Sequence, residues 1–582
     1  MTGRAVRRVA SEQAPPIEPG PGTAVDAPAS VDDTQATAAE PVATPAHRWL
    51  LWGLVAVVNV PVVVATVRTL ADGWLPLGDN GILLVRARDV GTTHNPLLGS
   101  WSSSSFVLGD HVNNPGPLYF DALALPVRLL GPWVGLAVGV MLVNMAASTL
   151  AVVAARRLGG DAVMVAVAAA VAGLQWTMGS ELLFDVWQPN ALILPTMAFL
   201  VVAAAVATGD TAIAPWLAGV GSLLVQTHLS LAPLVAAMVA AAALLAWRTG
   251  RHAGAPAWRR PLAWTAGVLA LAWVLPVVEQ FTSPSRGNLS RLAGAATEAE
   301  SSIVGPTRAG RIVAEATVVR PWFTRSSYED AVPLTPGGAP LPDTVGLLPA
   351  LLVVAGLVAA LVAVAVAARR ARQTAVATLA TVAVVALAVE VVALARSPVN
   401  PTGIAVHGMR WLWPVAALAT ATLVAALLVL LRAHGSWGRR ALVGAAVLAL
   451  AVAAANLPTY RSQSWGPVAL TAELPAARDL VADLDALDGR GTVLFDPVGL
   501  RYAEPYSGLV LAALQDRGVP FVFDDEVLIR QFGEGRRNRG EATLRLWQVE
   551  GPDAADPPPG AERVAYAEHD DGPVALLVEP IA

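Results

Sequence analysis

The sequence predicts an α-helical multi-pass membrane protein with a small α/β domain after its last span, and three observations support this. Over 582 residues the chain is 55% hydrophobic and only 14% charged, with a mean hydropathy of +0.55, whereas soluble chains carry about 25% charged residues. Its apolar residues are gathered into runs long enough to span a bilayer. Towards the C-terminus acidic residues become frequent and the apolar runs shorten to strand length.

Two absent residue types narrow the possible chemistry. The chain contains no cysteine, which excludes disulfides, thiolate nucleophiles and Cys-ligated zinc or iron–sulfur sites. All 39 basic residues are arginine, so a Walker A lysine and a Schiff-base lysine are excluded as well. The net charge of −5 provides no basic surface for nucleic acid, and we expect no nucleic-acid partner.

Residues 1–46 are predicted to be a disordered cytoplasmic tail. They are rich in Ala, Pro, Thr and acidic residues and contain almost no large apolar side chain, so they cannot bury a core. They also lack the short apolar stretch and small-residue cleavage site of a signal peptide. The first run that can span a bilayer begins at Trp49 and ends near Leu70.

About eleven transmembrane helices are predicted between residues 47 and 457. The runs are rich in Ala, Val and Leu and lack period-2 alternation, which favours helices over barrel strands. The stretch 213–247 is too long for one ordinary span, so we divide it at the polar cluster Gln226-Thr227-His228. The predicted spans are 49–70, 132–155, 162–179, 190–208, 213–227, 231–247, 261–279, 345–368, 374–395, 411–431 and 441–457.

The arginines predict the orientation of these spans in the plasma (inner) membrane. With eleven spans every basic cluster beside a span end falls on one side, which the positive-inside rule makes cytoplasmic. The N-terminus is then cytoplasmic, and the outer loops 71–131 and 281–344 and the region 458–582 are extracytoplasmic. The clusters are Arg4, Arg7, Arg8 and Arg48, then Arg156 and Arg157, then Arg248, Arg251, Arg259 and Arg260, then Arg369, Arg370 and Arg372, and finally Arg432, Arg439 and Arg440.

The region 458–582 is predicted to form an extracytoplasmic α/β domain. Residues 491–495 (GTVLF) and 519–523 (VPFVF) have the pattern of buried strands, and the segment 506–515 between them is helix-like. An amphipathic helix is predicted over 478–487, and the late stretches 542–549 and 574–578 would add strands to the sheet.

Candidate chemistry lies in the first outer loop. This loop begins with Asp79 and Asn80, and it ends in the segment 113–119 (NNPGPLY), after which 118–130 is expected to form a short helix on the membrane surface. A carboxylate just beyond a span can take a proton from a sugar hydroxyl. The alternative for Asp79 is a turn residue, because Gly-Asp-Asn-Gly is favourable turn chemistry. The loop also carries Arg86, Arg88, Asp89, Asp110 and His111.

Three segments resemble the GT-C-type membrane glycosyltransferases, the superfamily of protein mannosyltransferases, aminoarabinose transferases and actinobacterial arabinofuranosyltransferases. The first comprises GDNGILLVRARDVGTTHNPLLG and NNPGPLYFDALALPVRLLG, and it is similar to GDxAxxxLRxRDVGTxxTPLLG and HPGPLLFYLLALPYRLLG in a group of actinobacterial multi-spanning proteins. The second is VWQPN at 186–190 with LP at 194–195, and the third is VQTHL at 225–229. Together they cover roughly the first half of the chain.

The resemblance implies a GT-C-like fold and an inverting transfer from a polyprenyl-phosphate sugar donor to a cell-envelope glycan or glycolipid on the extracytoplasmic face. It implies that Asp79 is the general base. Members of the superfamily often have a second acidic residue beside the first, where this chain has Asn80. Asp89 and Asp110 are the nearest substitutes in sequence, and we expect them to be catalytic candidates. No cofactor is required, and a divalent cation held by Asp79, Asp110 and His111 is left open.

The donor phosphate requires cationic groups near the outer interface. Arg86, Arg88 and Arg410 are candidates because arginine binds phosphate oxygens bidentately, and snorkelling at the bilayer surface is the alternative for Arg410. For the polar residues at the outer ends of spans, the alternative to substrate binding is a helix-packing hydrogen bond. The further substrate-binding candidates are Asn80, His111, Asn113, Asn114, Tyr119, Gln188, Asn190, Gln226, His228 and His407.

Two other functions are left open by the sequence. A lipid-linked sugar flippase or transporter would place polar groups near the midplane on broken helices, often in repeated halves, and no repeat is found. A non-catalytic envelope scaffold with a glycan-binding outer domain is consistent with Asn80 replacing an acid. The enzyme hypothesis makes a geometric prediction, namely that Asp79 faces an outer cavity alongside Asn113, Gln188 and His228.

Overall fold

Long apolar helices dominate the structure, a computed structural model that describes residues 45–250, 256–283, 285–298, 303–319, 322–325, 345–399, 409–461, 466–500, 503–570 and 572–581. Within these ranges nine helices are long and apolar enough to cross a membrane. Together with the C-terminal sheet, they confirm the predicted fold class of a helical multi-pass membrane protein with an α/β region. Nearly all of the predicted tail 1–46 and also His407 lie outside the described residues.

The helices of the membrane part follow the apolar runs of the sequence. They are α1 (Pro45–Ala71), α5 (Pro132–Leu182), α7 (Ile193–Ala207), α8 (Ala214–Thr227), α9 (Ala232–Gly250), α10 (Pro256–Thr282), α13 (Leu347–Arg370), α14 (Thr374–Arg396), α15 (Leu412–Arg432) and α16 (Ser436–Ala455). Short helices lie between them: α2 (Asp79–Asp89), α3 (Ser105–Leu108), α4 (Leu118–Leu130), α6 (Gln188–Ala191), α11 (Asn288–Glu298) and α12 (Pro306–Ala314).

Helix α5 contains two spans. Its 51 residues would extend about 76 Å as a straight helix, more than twice the thickness of a bilayer core. The backbone leaves the helical region at Gly159 and Gly160, and Gly160 has φ 64°, which only glycine adopts at little cost. The break lies between the predicted spans 132–155 and 162–179. Helix α8 is shorter and ends at Thr227, inside the polar cluster where the sequence was divided. The exact count of eleven spans stays a prediction.

Helix α7 lies at the centre of the membrane part, and every one of its residues is buried. It packs against α5, α8, α9, α14 and α15, and small Ala and Val side chains allow this close approach between helices. Helices on the outside, such as α10, α13 and α16, instead expose large apolar side chains, among them Leu271, Leu348 and Leu448. This distribution is what a lipid-facing surface requires.

The C-terminal region forms a five-stranded mixed sheet in the order β2-β1-β3-β5-β4. Strand β1 pairs in parallel with β2 and β3, and β5 pairs antiparallel with β3 and β4. The structure confirms the predicted strand–helix–strand unit and both late strands. The elements are α17 (Leu474–Ala482), β1 (Thr492–Asp496), α18 (Ser507–Arg517), β2 (Phe521–Val522), α19 (Glu526–Phe532), β3 (Ala542–Glu550), α20 (Pro552–Ala555), β4 (Glu562–Ala567) and β5 (Val574–Pro580).

The C-terminal region that contains this sheet, called the sheet region, packs against the first outer loop. Residues 46–582 form one compact unit. Helix α18 lies against α2, and the two backbones approach so closely that a Cβ added to Gly81 would lie 2.2 Å from the carbonyl carbon of Gly508. The amide of Gly78 also donates to the carbonyl of Pro505 at 2.8 Å. The boundary predicted at residues 457 and 458 stays a prediction, but the sheet region is in direct contact with the helix that begins at Asp79.

Candidate functional site

The site is built around Asp79, the first residue of α2. Gly78 precedes it with φ 52°, so the chain turns sharply into the helix, whose N-terminal dipole favours a carboxylate. Asp79 as a whole residue is exposed, but its carboxyl group lies among protein atoms, and its Oδ2 accepts a hydrogen bond from Trp187 Nε1 at 2.8 Å. Desolvation by the surrounding protein raises the pKa of Asp79, the bond from Trp187 opposes this rise, and the charge of Glu504 adds to it.

A second carboxylate, Asp185, lies in the turn between α5 and α6 and is fully buried. Its oxygens accept hydrogen bonds from Asn80 Nδ2 at 2.9 Å and from Asn190 Nδ2 at 2.6 Å. The backbone amide of Trp187 adds a third, longer bond at 3.3 Å. Burial raises the pKa of Asp185, and these hydrogen bonds oppose the rise. Asn80 thus positions an acid rather than replacing one.

Sequence reasoning missed Asp185. The signal was an acid, four residues after Glu181, directly before the segment 186–190 that carries the resemblance. A charged residue in such surroundings is costly unless it is hydrogen-bonded, and it is therefore a marker of a functional or positioning role.

Arg410 supplies the positive charge of this cluster. It precedes α15, it is 1% exposed, and its guanidinium donates to Asn190 Oδ1. The positive charge of Arg410 lowers the pKa of Asp185, and Asn190 forms hydrogen bonds to both side chains. The guanidinium also lies 6.0 Å from the centre of the Trp413 ring. Arg410 is therefore packed inside the protein against the polar cluster. A snorkelling arginine would instead extend its guanidinium towards the bilayer surface.

The sheet region contributes a third acid, Glu504, which sequence reasoning also missed. It is 7% exposed, and it accepts hydrogen bonds from the amides of Tyr506 at 2.8 Å and Ser507 at 3.0 Å and from Gln548 Nε2 at 3.1 Å. The charge of Glu504 also raises the pKa of Asp79. Glu504 comes from more than 400 residues further along the chain, so no local motif could have indicated it.

Asp89, Arg86 and Arg88 lie where α2 meets the sheet region. Asp89 is 1% exposed, and it binds Arg86 at 2.9 Å and Arg536 at 2.7 Å. Arg88 pairs with Asp516 at 2.6 Å. Burial lowers the pKa of Arg86 to about 10. These contacts dock α2 on the sheet region, and the catalytic and phosphate-binding roles expected for the three residues stay predictions.

Asp110 and His111 lie at the far end of the loop. Asp110 forms an ion pair with Arg291 of α11, and the indole of Trp101 donates a long bond of 3.4 Å to His111 Nδ1. Within the described ranges no group of three or more acidic or histidine side chains could hold a metal ion. Asp79, Asp110 and His111 therefore do not form the donor set that a divalent cation requires.

Asn113 and Asn114 connect the end of the loop to other segments. Asn113 and Asn288 exchange two hydrogen bonds of 2.9 Å, and Asn113 Nδ2 also donates to the carbonyl of Arg530 at 2.9 Å. Asn114 Oδ1 accepts the amide of Leu229 at 3.0 Å. The substrate-binding roles expected for both residues stay predictions.

Four further candidates make single polar contacts. Tyr119 OH donates to the carbonyl of Val186 at 2.7 Å, directly beside Asp185. Gln188 Nε2 donates to Ser100 Oγ at 2.7 Å, Gln226 Nε2 donates to the carbonyl of Ala272 at 2.6 Å, and His228 Nδ1 pairs with Ser230 Oγ at 2.7 Å. The polar cluster near Asp79 consists of Asn80, Trp187, Asp185, Asn190 and Arg410. Asn113 and His228, by contrast, contact other segments.

Comparisons with known proteins support the fold. No protein-family model and no curated protein sequence matches the chain. The crystal structure of ArnT from Cupriavidus metallidurans bound to undecaprenyl phosphate is similar, with a TM-score of 0.50 and 15% identity over 90% of this chain and 98% of that chain. The apo oligosaccharyltransferase of Archaeoglobus fulgidus gives a TM-score of 0.37 and 13% identity over 86% and 69% of the two chains. Because the identity is low, the similarity to ArnT supports the fold alone. The TM-score of the second structure is too low to support any conclusion.

Proposed function

We propose, from the GT-C-type fold that this chain shares with ArnT, that it is a membrane glycosyltransferase. The donor is a polyprenyl-phosphate sugar, and the acceptor is a hydroxyl of a cell-envelope glycan or glycolipid on the extracytoplasmic face. Asp79 is the general base, and transfer inverts the configuration of the anomeric carbon. ArnT has undecaprenyl phosphate bound in its solved structure, which supports a polyprenyl lipid as the partner here.

The observation that carries the proposal is the state of Asp79. Asp79 is an exposed residue, and its carboxylate accepts a hydrogen bond of 2.8 Å from the indole of Trp187 in a different segment. Desolvation raises its pKa. A base with a raised pKa is a better proton acceptor, provided that it is ionised at the working pH. A turn residue with no chemical role requires neither the tryptophan nor the nearby Asp185 cluster.

The proposed reaction is a single inverting displacement. The Asp79 carboxylate takes the proton of the acceptor hydroxyl while that oxygen attacks the anomeric carbon of the donor. The bond from the anomeric carbon to the phosphate oxygen breaks, and polyprenyl phosphate leaves with the bonding electron pair. Arg410 provides positive charge for the phosphate, and Asp185 with Asn190 positions that guanidinium. Trp187 orients the carboxylate of Asp79.

The arrangement of polar groups favours an enzyme over a transporter. A transporter would place its polar groups midway along broken membrane helices. Here Asp79 begins α2, Asp185 lies between α5 and α6, and Arg410 precedes α15, so the cluster is made from the ends of helices. A scaffold would require no carboxylate held in this way.

The test is Asp79→Asn, assayed for sugar transfer in purified protein with a polyprenyl-phosphate sugar. Loss of a general base should lower the transfer rate by a factor of about 100 or more, while expression and thermal stability stay normal. The control is Asp553→Asn, an exposed carboxylate of the sheet region, which should transfer sugar at the normal rate. Normal transfer by Asp79→Asn would refute the assignment of the base.

A further inference from the structure

A polar cavity of about 630 Å³ lies beside the docking interface of α2. One wall is the first outer loop with residues 93–95 and 97–99, the second is the end of α10 and the segment leading into α11, and the third is 529–535 of the sheet region. Arg86 of α2 also lines it. Arg86 is seven residues after Asp79, which is about 10 Å along a helix.

Most cations that line this cavity have carboxylate partners. Arg86 pairs with Asp89, Arg291 pairs with Asp110, and Arg537 pairs with Glu526 and Glu534. Within each pair the opposite charges neutralise each other, so the pair attracts an incoming anion only weakly.

Arg530 differs from them. Its Nη2 donates a long bond of 3.3 Å to Asn288 Oδ1, its Nε is buried and has no hydrogen-bond partner among the described residues, and within those ranges no carboxylate lies within ion-pair distance. Burial and the charge of Arg291 lower its pKa, whereas the charges of Glu279, Asp110 and Glu534 act in the opposite direction. Arg530 is therefore a half-buried guanidinium that lines the cavity without a direct ion pair, and it can form one with an anionic ligand.

Neutral hydrogen-bonding groups also line the cavity. His94 lines the cavity and has a buried Nδ1 that is unpartnered among the described residues. Burial and the neighbouring guanidinium of Arg536 lower the pKa of His94, so its imidazole is neutral at physiological pH and can both donate and accept. Asn95, Ser283 and Ser285 add further polar groups. Such a lining suits the hydroxyl groups of a saccharide.

We propose that this cavity binds an acidic stretch of the acceptor glycan, with Arg530 holding an anionic group of that glycan, either a uronic carboxylate or a sugar phosphate. The inference rests on the proposed function, because it names the class of acceptor for the same transfer. Glu279 faces the same space and sets the strength of binding, since its charge opposes an incoming anion.

Binding to purified protein in nanodiscs, without donor, tests this directly. The probes are a tetramer of galacturonic acid, its methyl ester and a glycerol phosphate tetramer. We expect at least one acidic probe to bind at least tenfold more tightly than the ester, and higher salt to weaken that binding. The preferred acidic probe identifies whether carboxylate or phosphate is the natural anion.

Two variants with opposite effects locate the site. Arg530→Gln should weaken binding of the acidic probe about tenfold, because it removes a charge-assisted hydrogen bond. Glu279→Gln should strengthen it several-fold, because the opposing charge is lost while the amide oxygen can still accept the amide of Asn288, as the carboxylate does at 2.9 Å. Arg539→Gln is the matched control, since Arg539 is an exposed arginine that does not line the cavity, and it should bind normally.

Equal binding of the acidic probes and the ester, or equal affinity in Arg530→Gln and Arg539→Gln, would overturn the proposal. Binding by Asp79→Asn separates this result from the proposed function. If that variant binds the acidic probe but transfers no sugar, both proposals stand. If it binds and also transfers normally, the cavity assignment survives and the base assignment fails.

Discussion

At the scale of single residues, Asp79 is affected by two neighbours that act in opposite directions. The indole of Trp187 donates to its carboxylate and lowers its pKa, whereas the charge of Glu504 raises it. The larger effect is desolvation, which raises the pKa above the ordinary value of 3.8. Because a general base must be ionised, the acidic limb of the transfer rate should lie at a higher pH than for an ordinary aspartate.

Substitutions of Trp187 and Glu504 should shift the acidic limb of the pH–rate profile in opposite directions. Trp187→Phe removes a bond that stabilises the ionised form, so the pKa of Asp79 should rise and the limb should move to higher pH. Glu504→Gln removes a like charge, so the pKa should fall and the limb should move to lower pH. The measurement is the pH dependence of kcat/KM for both variants. Shifts in the same direction would contradict the assignment of Asp79 as the titrating base.

Asp79, Asn80, Asn190 and Arg410 could be selected as candidates from the sequence, because each lies in or near a polar segment at a span end. Asp185 and Glu504 could not. Asp185 lies in a largely apolar stretch that also contains Glu181, and Glu504 lies in the distant sheet region. Their roles depend on which side chains meet in space, and neither spacing nor composition contains that information.

At the scale of elements, the contact between α2 and α18 sets the position of Asp79. A Cβ added to Gly508 would lie 2.3 Å from the carbonyl oxygen of Gly78, the residue before Asp79. The amide of Gly78 is also fixed to Pro505. The sheet region is therefore a structural part of the candidate site, in contrast to an appended binding module joined by a linker.

This contact predicts the effect of Gly508→Ala. The added methyl group forces the two backbones apart, at a cost of about 1–3 kcal/mol in free energy of unfolding, and it displaces the turn that carries Asp79. We expect a lower melting temperature and a lower transfer rate. Gly444→Ala is the control, because a Cβ there meets nothing within 4 Å. Equal stability and equal transfer in the two variants would show that the contact does not position the base.

At the scale of the whole molecule, the orientation in the membrane follows from the arginines and stays a prediction. The absence of cysteine makes it directly testable, because any introduced cysteine is the only thiol. His434→Cys, exposed after α15, should be labelled by a membrane-impermeant maleimide only after the cells are opened. Asp553→Cys, exposed in the sheet region, should be labelled in intact cells whose outer layers admit the reagent. The reverse labelling pattern would show that the chain is oriented opposite to the prediction.

The sequence by itself determined the apolar helices of the membrane part, a break between residues 155 and 162 and another near His228, and the strand–helix–strand unit of the C-terminal region. These features depend on local apolar patterns and backbone preferences, which are written along the chain. Only the tertiary structure showed that Asp185 anchors Asn80 and Asn190, that the charge of Glu504 acts on Asp79, and that Arg530 lines a cavity without a direct ion pair among the described residues. These features depend on contacts between segments up to about 400 residues apart. The physical reason is that desolvation and charge coupling are set by three-dimensional surroundings.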